Sequence, residues 1–141
     1  MAANAQKYNQ KLISAVGRSM GVDGSIVGTV TLTTDAPGTA DHVSVAPVYP
    51  IWKMVSTAGS DQLTLLPGYY SGHEVTLLLG TDGGGDVDIS LASVAQVTPP
   101  HTHTITETVT GFETVGDYVV VVWDGDSWQI VLSNDNALAV A

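Results

Sequence analysis

The 141-residue chain has no cysteine. That excludes disulfides, thiolate metal sites and a cysteine nucleophile. Charge of either sign is scarce, at 13% of residues, and basic residues number only four. No apolar stretch approaches the roughly 20 residues that a membrane-spanning helix needs. The longest apolar runs, such as Tyr118 to Trp123, have the length of buried strands. The N-terminus lacks the apolar core of a signal peptide.

What remains is rich in Val, Thr, Gly, Ala and Ser, which is poor helix stock and good strand-and-turn stock. A monomer with so few charges has trouble covering its surface, whereas a subunit that hides surface against its own copies does not. The composition therefore favours an oligomer. The formal net charge is −10 and is unevenly placed. Residues 1–20 carry Lys7, Lys11 and Arg18 without an acid; the rest sets Lys53 alone against all 14 acids. So acidic a body repels nucleic acid and anionic membrane, and neither is an expected partner.

Along the chain, residues 4–20 are the one helix candidate. Tyr8, Leu12, Ala15 or Val16, and Met20 recur at helical spacing, and Gly17 and Gly21 weaken its end. From Ser25 onward the pattern is β. Strands are predicted near 26–33, 43–45, 51–57, 62–66, 74–79, 86–91, 101–110, 118–123 and 127–133, with a short apolar edge at 137–141. Turn chemistry separates them: Asp35-Ala36-Pro37-Gly38, Pro67-Gly68, Ser71-Gly72, Asp82-Gly83-Gly84-Gly85 and Asp124-Gly125. Strands about every ten residues predict a sandwich, barrel or β-prism rather than alternating βαβ units, and no exact internal repeat is present. The division is an arm or helix over 1–22 and a β-rich body over 23–141.

The C-terminal half carries a resemblance. Leu63-Thr64-Leu65-Leu66-Pro67-Gly68, then Gly72-His73-Glu74-Val75-Thr76-Leu77, a Gly-rich acidic loop and Val87-Asp88-Ile89 resemble a module of tailed-phage structural proteins. The closing run from Gly116 to Gly125, followed by Trp128, strengthens it. In such proteins the module forms intertwined trimeric β-structure in head decoration proteins, head fibres and tail fibres. The resemblance covers roughly residues 60–135. It implies a homotrimer, with Trp123, Trp128, Tyr118 and Ile130 in the core or at the trimer interface.

Several motifs bear on chemistry. Gly17-Arg18-Ser19-Met20-Gly21 matches the G-x-S-x-G elbow, but lacks the preceding strand and the large α/β sheet that carries a catalytic triad. Asp82, Asp86 and Asp88 surround glycines without the spacing or terminal Glu of a calcium loop. The triple glycine lacks the Lys-Ser/Thr of a phosphate-binding loop. Glu107 and Glu113 lack an evident cleft for glycoside hydrolysis, which needs two carboxylates facing one bond. His101-Thr102-His103 is a weak metal candidate. On a strand both imidazoles share a face with Ile105, Glu107 and Val109, and three copies on a trimer axis would gather six nitrogens around one octahedral ion. The default for both histidines is ordinary exposure, and no cofactor is expected.

These features predict a mainly β, compact trimeric body preceded by a short N-terminal helix or arm. The expected function is non-enzymatic: a capsid decoration, or cement, protein on the outside of a phage head, partnered by the major capsid protein. The basic segment is the expected anchor, through Lys7, Lys11, Leu12, Ile13, Val16 and Arg18. The alternative is a receptor- or glycan-binding fibre tip, with Tyr69, Tyr70 and Trp52 as a sugar platform. A 141-residue chain suits a decoration protein better than a long fibre.

Overall fold

In the computed structural model the chain forms two mixed β-sheets packed face to face around one core. The structure describes residues 24–57, 59–95, 103–134 and 139–140. Ten strands follow in order: β1 Val27–Thr31, β2 Ser44–Val45, β3 Ile51–Val55, β4 Asp61–Leu65, β5 Glu74–Thr81, β6 Val87–Ala95, β7 His103–Phe112, β8 Tyr118–Trp123, β9 Trp128–Ser133 and β10 Ala139–Val140. There is no helix among the described residues.

The strands alternate between sheets. One sheet has the order β1-β3-β5-β8-β9 and the other β10-β7-β6-β4-β2. From β1 to β6 each pass of the chain lays a strand in one sheet, crosses the core, and lays the next in the other. Strands that share a sheet are therefore parallel: Val27, Ile51 and Thr76 stand side by side, as do Ser44, Thr64 and Ser90. Parallel neighbours need a long crossover, usually a helix; here the opposite sheet's strand is the crossover. The first six strands thus wind like a two-sided β-solenoid. The last four close it with antiparallel pairs, β5 with β8, β8 with β9, β6 with β7 and β7 with β10.

Alternation of side chains decides which face is buried. On β5, Val75, Leu77 and Leu79 point inward, and on β8, Val119, Val121 and Trp123 do the same. They meet Leu63, Leu65, Ile89, Leu91, Val109 and Phe112 from the other sheet in one hydrophobic cluster. β4 is buried along nearly its whole length, from Asp61 to Leu65, as expected of a strand in a covered parallel ladder.

Of the sandwich, barrel or prism expected from the sequence, the body is the sandwich and not a closed barrel: its two sheets end in the edge strands β1, β9, β2 and β10 among the described residues. The ladder of β7 with β6 shifts register between Leu91 and Ala92 and again before Ala95. His101 and the side chain of His103, the weak metal candidates, lie outside the described residues. The predicted N-terminal helix, with Lys7, Lys11, Leu12, Ile13, Val16 and Arg18, lies outside the described residues, as does the G-x-S-x-G match.

Candidate functional site

At one end of the sandwich three connections converge: β2 to β3, β4 to β5, and β8 to β9. Between them lies a cleft of about 590 Å³, lined by Ala46 and Pro47, by Leu66 through Ser71, and by Trp123 and Gly125. That volume falls in the range of small-molecule clefts, about 300–1,000 Å³.

The β4–β5 connection shapes it. Pro67 cannot continue the β4 ladder, because it has no N–H to donate. Gly68 then lies against the indole of Trp123, where a Cβ would overlap the side-chain atoms Cγ and Cβ of Trp123. Tyr70, Ser71, Gly72 and His73 form a tight turn, with the His73 N–H donating to the Tyr70 carbonyl at 3.0 Å. Gly72 has φ of 88°, which glycine adopts at little cost. The turn is tied to β8 by two main-chain bonds: Gly72 N–H to the Trp123 carbonyl, 2.7 Å, and Trp123 N–H to the His73 carbonyl, 2.8 Å.

His73 is the keystone of the aromatic cluster. It is 6% exposed. Its Nδ1 accepts the Tyr69 N–H at 3.2 Å, so that nitrogen carries no proton. The imidazole lies nearly parallel to Tyr70, 4.6 Å between centroids at 11°, and stacks with Tyr69 at 5.6 Å and 29°. Trp128 closes in at 5.8 Å and meets Trp123 edge-on at 5.3 Å. Trp128 is fully buried and donates its indole N–H to the Leu66 carbonyl at 3.0 Å. The tyrosines face outward, Tyr69 at 62% exposure and Tyr70 at 39%. The cleft therefore presents rings that are exposed yet held in place from behind.

The rim is acidic. Asp124 accepts the N–H groups of Asp126 and Ser127 on Oδ1, each at 2.8 Å, and its Oδ2 accepts from the Gln129 amide at 3.1 Å. The main-chain donors of Ser127 and Asp126 hold its carboxyl below the usual carboxylate range. Lys53 is the one lysine or arginine anywhere after Arg18.

No family model, curated protein or solved structure matches the chain.

The structure distributes the sequence-predicted residues unevenly. Trp123 and Trp128 are core residues, 3% and 1% exposed, and Tyr118 and Ile130 are half-buried. The proposed sugar platform is only partly assembled. Tyr69 and Tyr70 share the cleft, but Trp52 is buried, donates to the Ala46 carbonyl at 3.0 Å and packs edge-on to Tyr49. Trp123 lines the cleft from behind at 3% exposure, so the two tyrosines are the rings a ligand can reach. Among the described residues no three His, Cys, Asp or Glu side chains gather closely enough to hold an ion. Asp82 caps its own loop by accepting the Gly84 N–H at 2.7 Å. His101 and the side chain of His103 lie outside what is described. His42 is a brace: Nδ1 donates to the Asp35 carbonyl at 2.6 Å, and Nε2 pairs with the Thr64 hydroxyl at 2.7 Å. The role of His73 was not read from the sequence. Its signal was available in Tyr69-Tyr70-x-x-His73, a turn that returns the ring to its own aromatics.

Proposed function

We propose that the chain is a non-enzymatic structural subunit of a virus particle, a decoration protein that binds the outside of a tailed-phage head as a homotrimer. The observation that carries this reading is the apolar character of both ends of one sheet. Ile26, beside β1, and Val27 within it are 52% and 44% exposed at one end, and on β9 Val131 and Leu132 are 57% and 54% exposed at the other. Edge strands of proteins that stay single are blunted with charge, proline or bulges; β9 carries no charge and no proline, and has only the register shift at Val131. Apolar edges of this kind suit a surface that is covered by a copy or by a shell. The resemblance of residues 60–135 to trimeric phage modules supports the same reading.

In this reading residues 1–20 contribute the attachment. Three arms per trimer multiply weak contacts through effective concentration. Light scattering of the purified protein at micromolar concentration is expected to give a trimer mass. A variant lacking residues 2–20 is expected to keep that mass and lose binding to phage heads. A stable monomer, together with no three-fold clusters on the particle, overturns the trimer; a truncated trimer that decorates heads with unchanged affinity overturns the anchor. The alternative of a fibre tip draws its support from the aromatic cleft, which either kind of particle protein can carry.

A further inference from the structure

We infer that the cleft between Pro47, Tyr69, Tyr70 and Trp123 is a binding site for a neutral oligosaccharide. The inference concerns the isolated protein and holds wherever on a particle the chain sits.

Three observations point to this ligand class. The first is preorganisation. Rings as exposed as Tyr69 and Tyr70 ordinarily sample several rotamers, and a ligand that fixes them loses affinity to that ordering. Here both stack on a buried imidazole, which is itself tied to the main chain. Flat apolar rings held outward are what the C–H face of a pyranose packs against.

The second is charge. Among the described residues no charged side chain lines the cleft. Lys53 is the one lysine or arginine among those residues and does not line the cleft, so none of them compensates an anionic ligand there. Sialylated, sulfated and phosphorylated glycans are therefore disfavoured.

The third is hydrogen-bond polarity. The indole N–H groups of Trp52 and Trp128 are both engaged by main-chain carbonyls, and Trp123 is nearly sealed. The hydroxyl-bearing residues that line the cleft, Tyr69, Tyr70 and Ser71, can each donate and accept. A sugar hydroxyl also does both and can use either role, whereas a proline run offers only carbonyl acceptors and uses one.

The test is calorimetric titration of the full-length protein with chitohexaose, cellohexaose, maltoheptaose and a β-1,4-galactan hexamer at millimolar concentration. Sialyllactose, a heparin hexasaccharide, a proline decapeptide and choline serve as contrasting probes. At least one neutral sugar is expected to bind and to change the fluorescence of the tryptophans under the cleft. Tyr69→Ala and Tyr70→Ala are each expected to weaken that binding by roughly tenfold or more, the scale of losing a central aromatic contact. Tyr70→Phe keeps the ring and is expected to retain most of the affinity. Unchanged near-ultraviolet circular dichroism identifies the variants that remain folded, and Tyr69, the more exposed ring, is the safer of the two. The inference is overturned if no neutral sugar binds, if binding survives both alanine variants, or if only an anionic glycan, the proline peptide or choline binds.

Discussion

The indole N–H of Trp128 reaches the main-chain oxygen of Leu66, 62 positions earlier in the chain, at 3.0 Å. This one bond joins the first residue of β9 to the end of β4, and so ties the antiparallel closure to the wound part of the fold. It also fixes the depth at which Trp128 sits behind His73, and hence the support under the cleft.

Trp128→Ala is expected to cost about 3–5 kcal/mol, the range for deleting a large buried aromatic. Trp128→Phe keeps most of the apolar area but leaves the Leu66 carbonyl without its donor, at about 1–3 kcal/mol. Urea denaturation of the two variants beside the parent measures both, and a loss under about 1 kcal/mol for the alanine variant contradicts the burial.

Two glycines of one loop are expected to respond for different reasons. Gly68→Ala forces a methyl into the Trp123 side chain, which neither β8 nor the core behind it can vacate. A cost of about 1–3 kcal/mol follows from overpacking. Gly72→Ala meets no atom but must hold φ of 88°, a backbone penalty of about 1–2 kcal/mol. Thermal melts compare them, and Trp123 fluorescence is expected to shift only in Gly68→Ala.

Asp61 is buried, and its Oδ2 accepts the Ser56 hydroxyl at 2.9 Å and the Thr57 N–H at 2.7 Å. Asp61→Ala strands both donors, at about 1–3 kcal/mol. Asp61→Asn keeps one acceptor oxygen, and Oδ1 makes no hydrogen bond among the described residues that an amide would break. The asparagine variant is therefore expected to be the more stable of the two in chemical denaturation.

Asp88 gives a pH dependence of defined sign. Partial burial and then the neighbouring Asp86 carboxylate raise its pKa above 3.8. The folded state thus holds this proton more tightly than the unfolded chain does. The group favours folding below the unfolded value, and that contribution is lost as pH rises through the folded one. Asp88→Asn is expected to raise the melting temperature at pH 7, with the advantage shrinking as pH falls toward about 4. An advantage that grows on acidification contradicts the assignment.

Strand positions were legible because turn chemistry brackets each apolar alternation. Tyr118 to Trp123 is both the predicted and the observed β8, and even the two-residue edge at Ala139–Val140 falls within the apolar run at 137–141. Pairing was not legible. Alternation along Glu74–Thr81 says that Val75, Leu77 and Leu79 face a core, and says nothing about whether Trp52 or Tyr118 lies alongside. With no sequence repeat to mark the winding, parallel neighbours drawn from successive passes look like strands joined by hairpins. The cleft was half legible. Tyr69 and Tyr70 stand out by adjacency just after the Pro67-Gly68 turn, whereas Trp52 and Trp123 are told apart only by which face of β3 and β8 the loops cover.

The winding also sets the order in which the molecule can assemble. Each parallel strand pairs with one laid down about one pass earlier, so β1, β3 and β5 need only a modest chain closure at each step. The bond from Trp128 to Leu66 spans 62 positions and is expected to form after the coil. A chain held together by contacts this distant in sequence is expected to fold in milliseconds to seconds rather than microseconds. The seating of β8 and β9 against the coil is then the expected late step, and the aromatic cleft is expected to take shape with it.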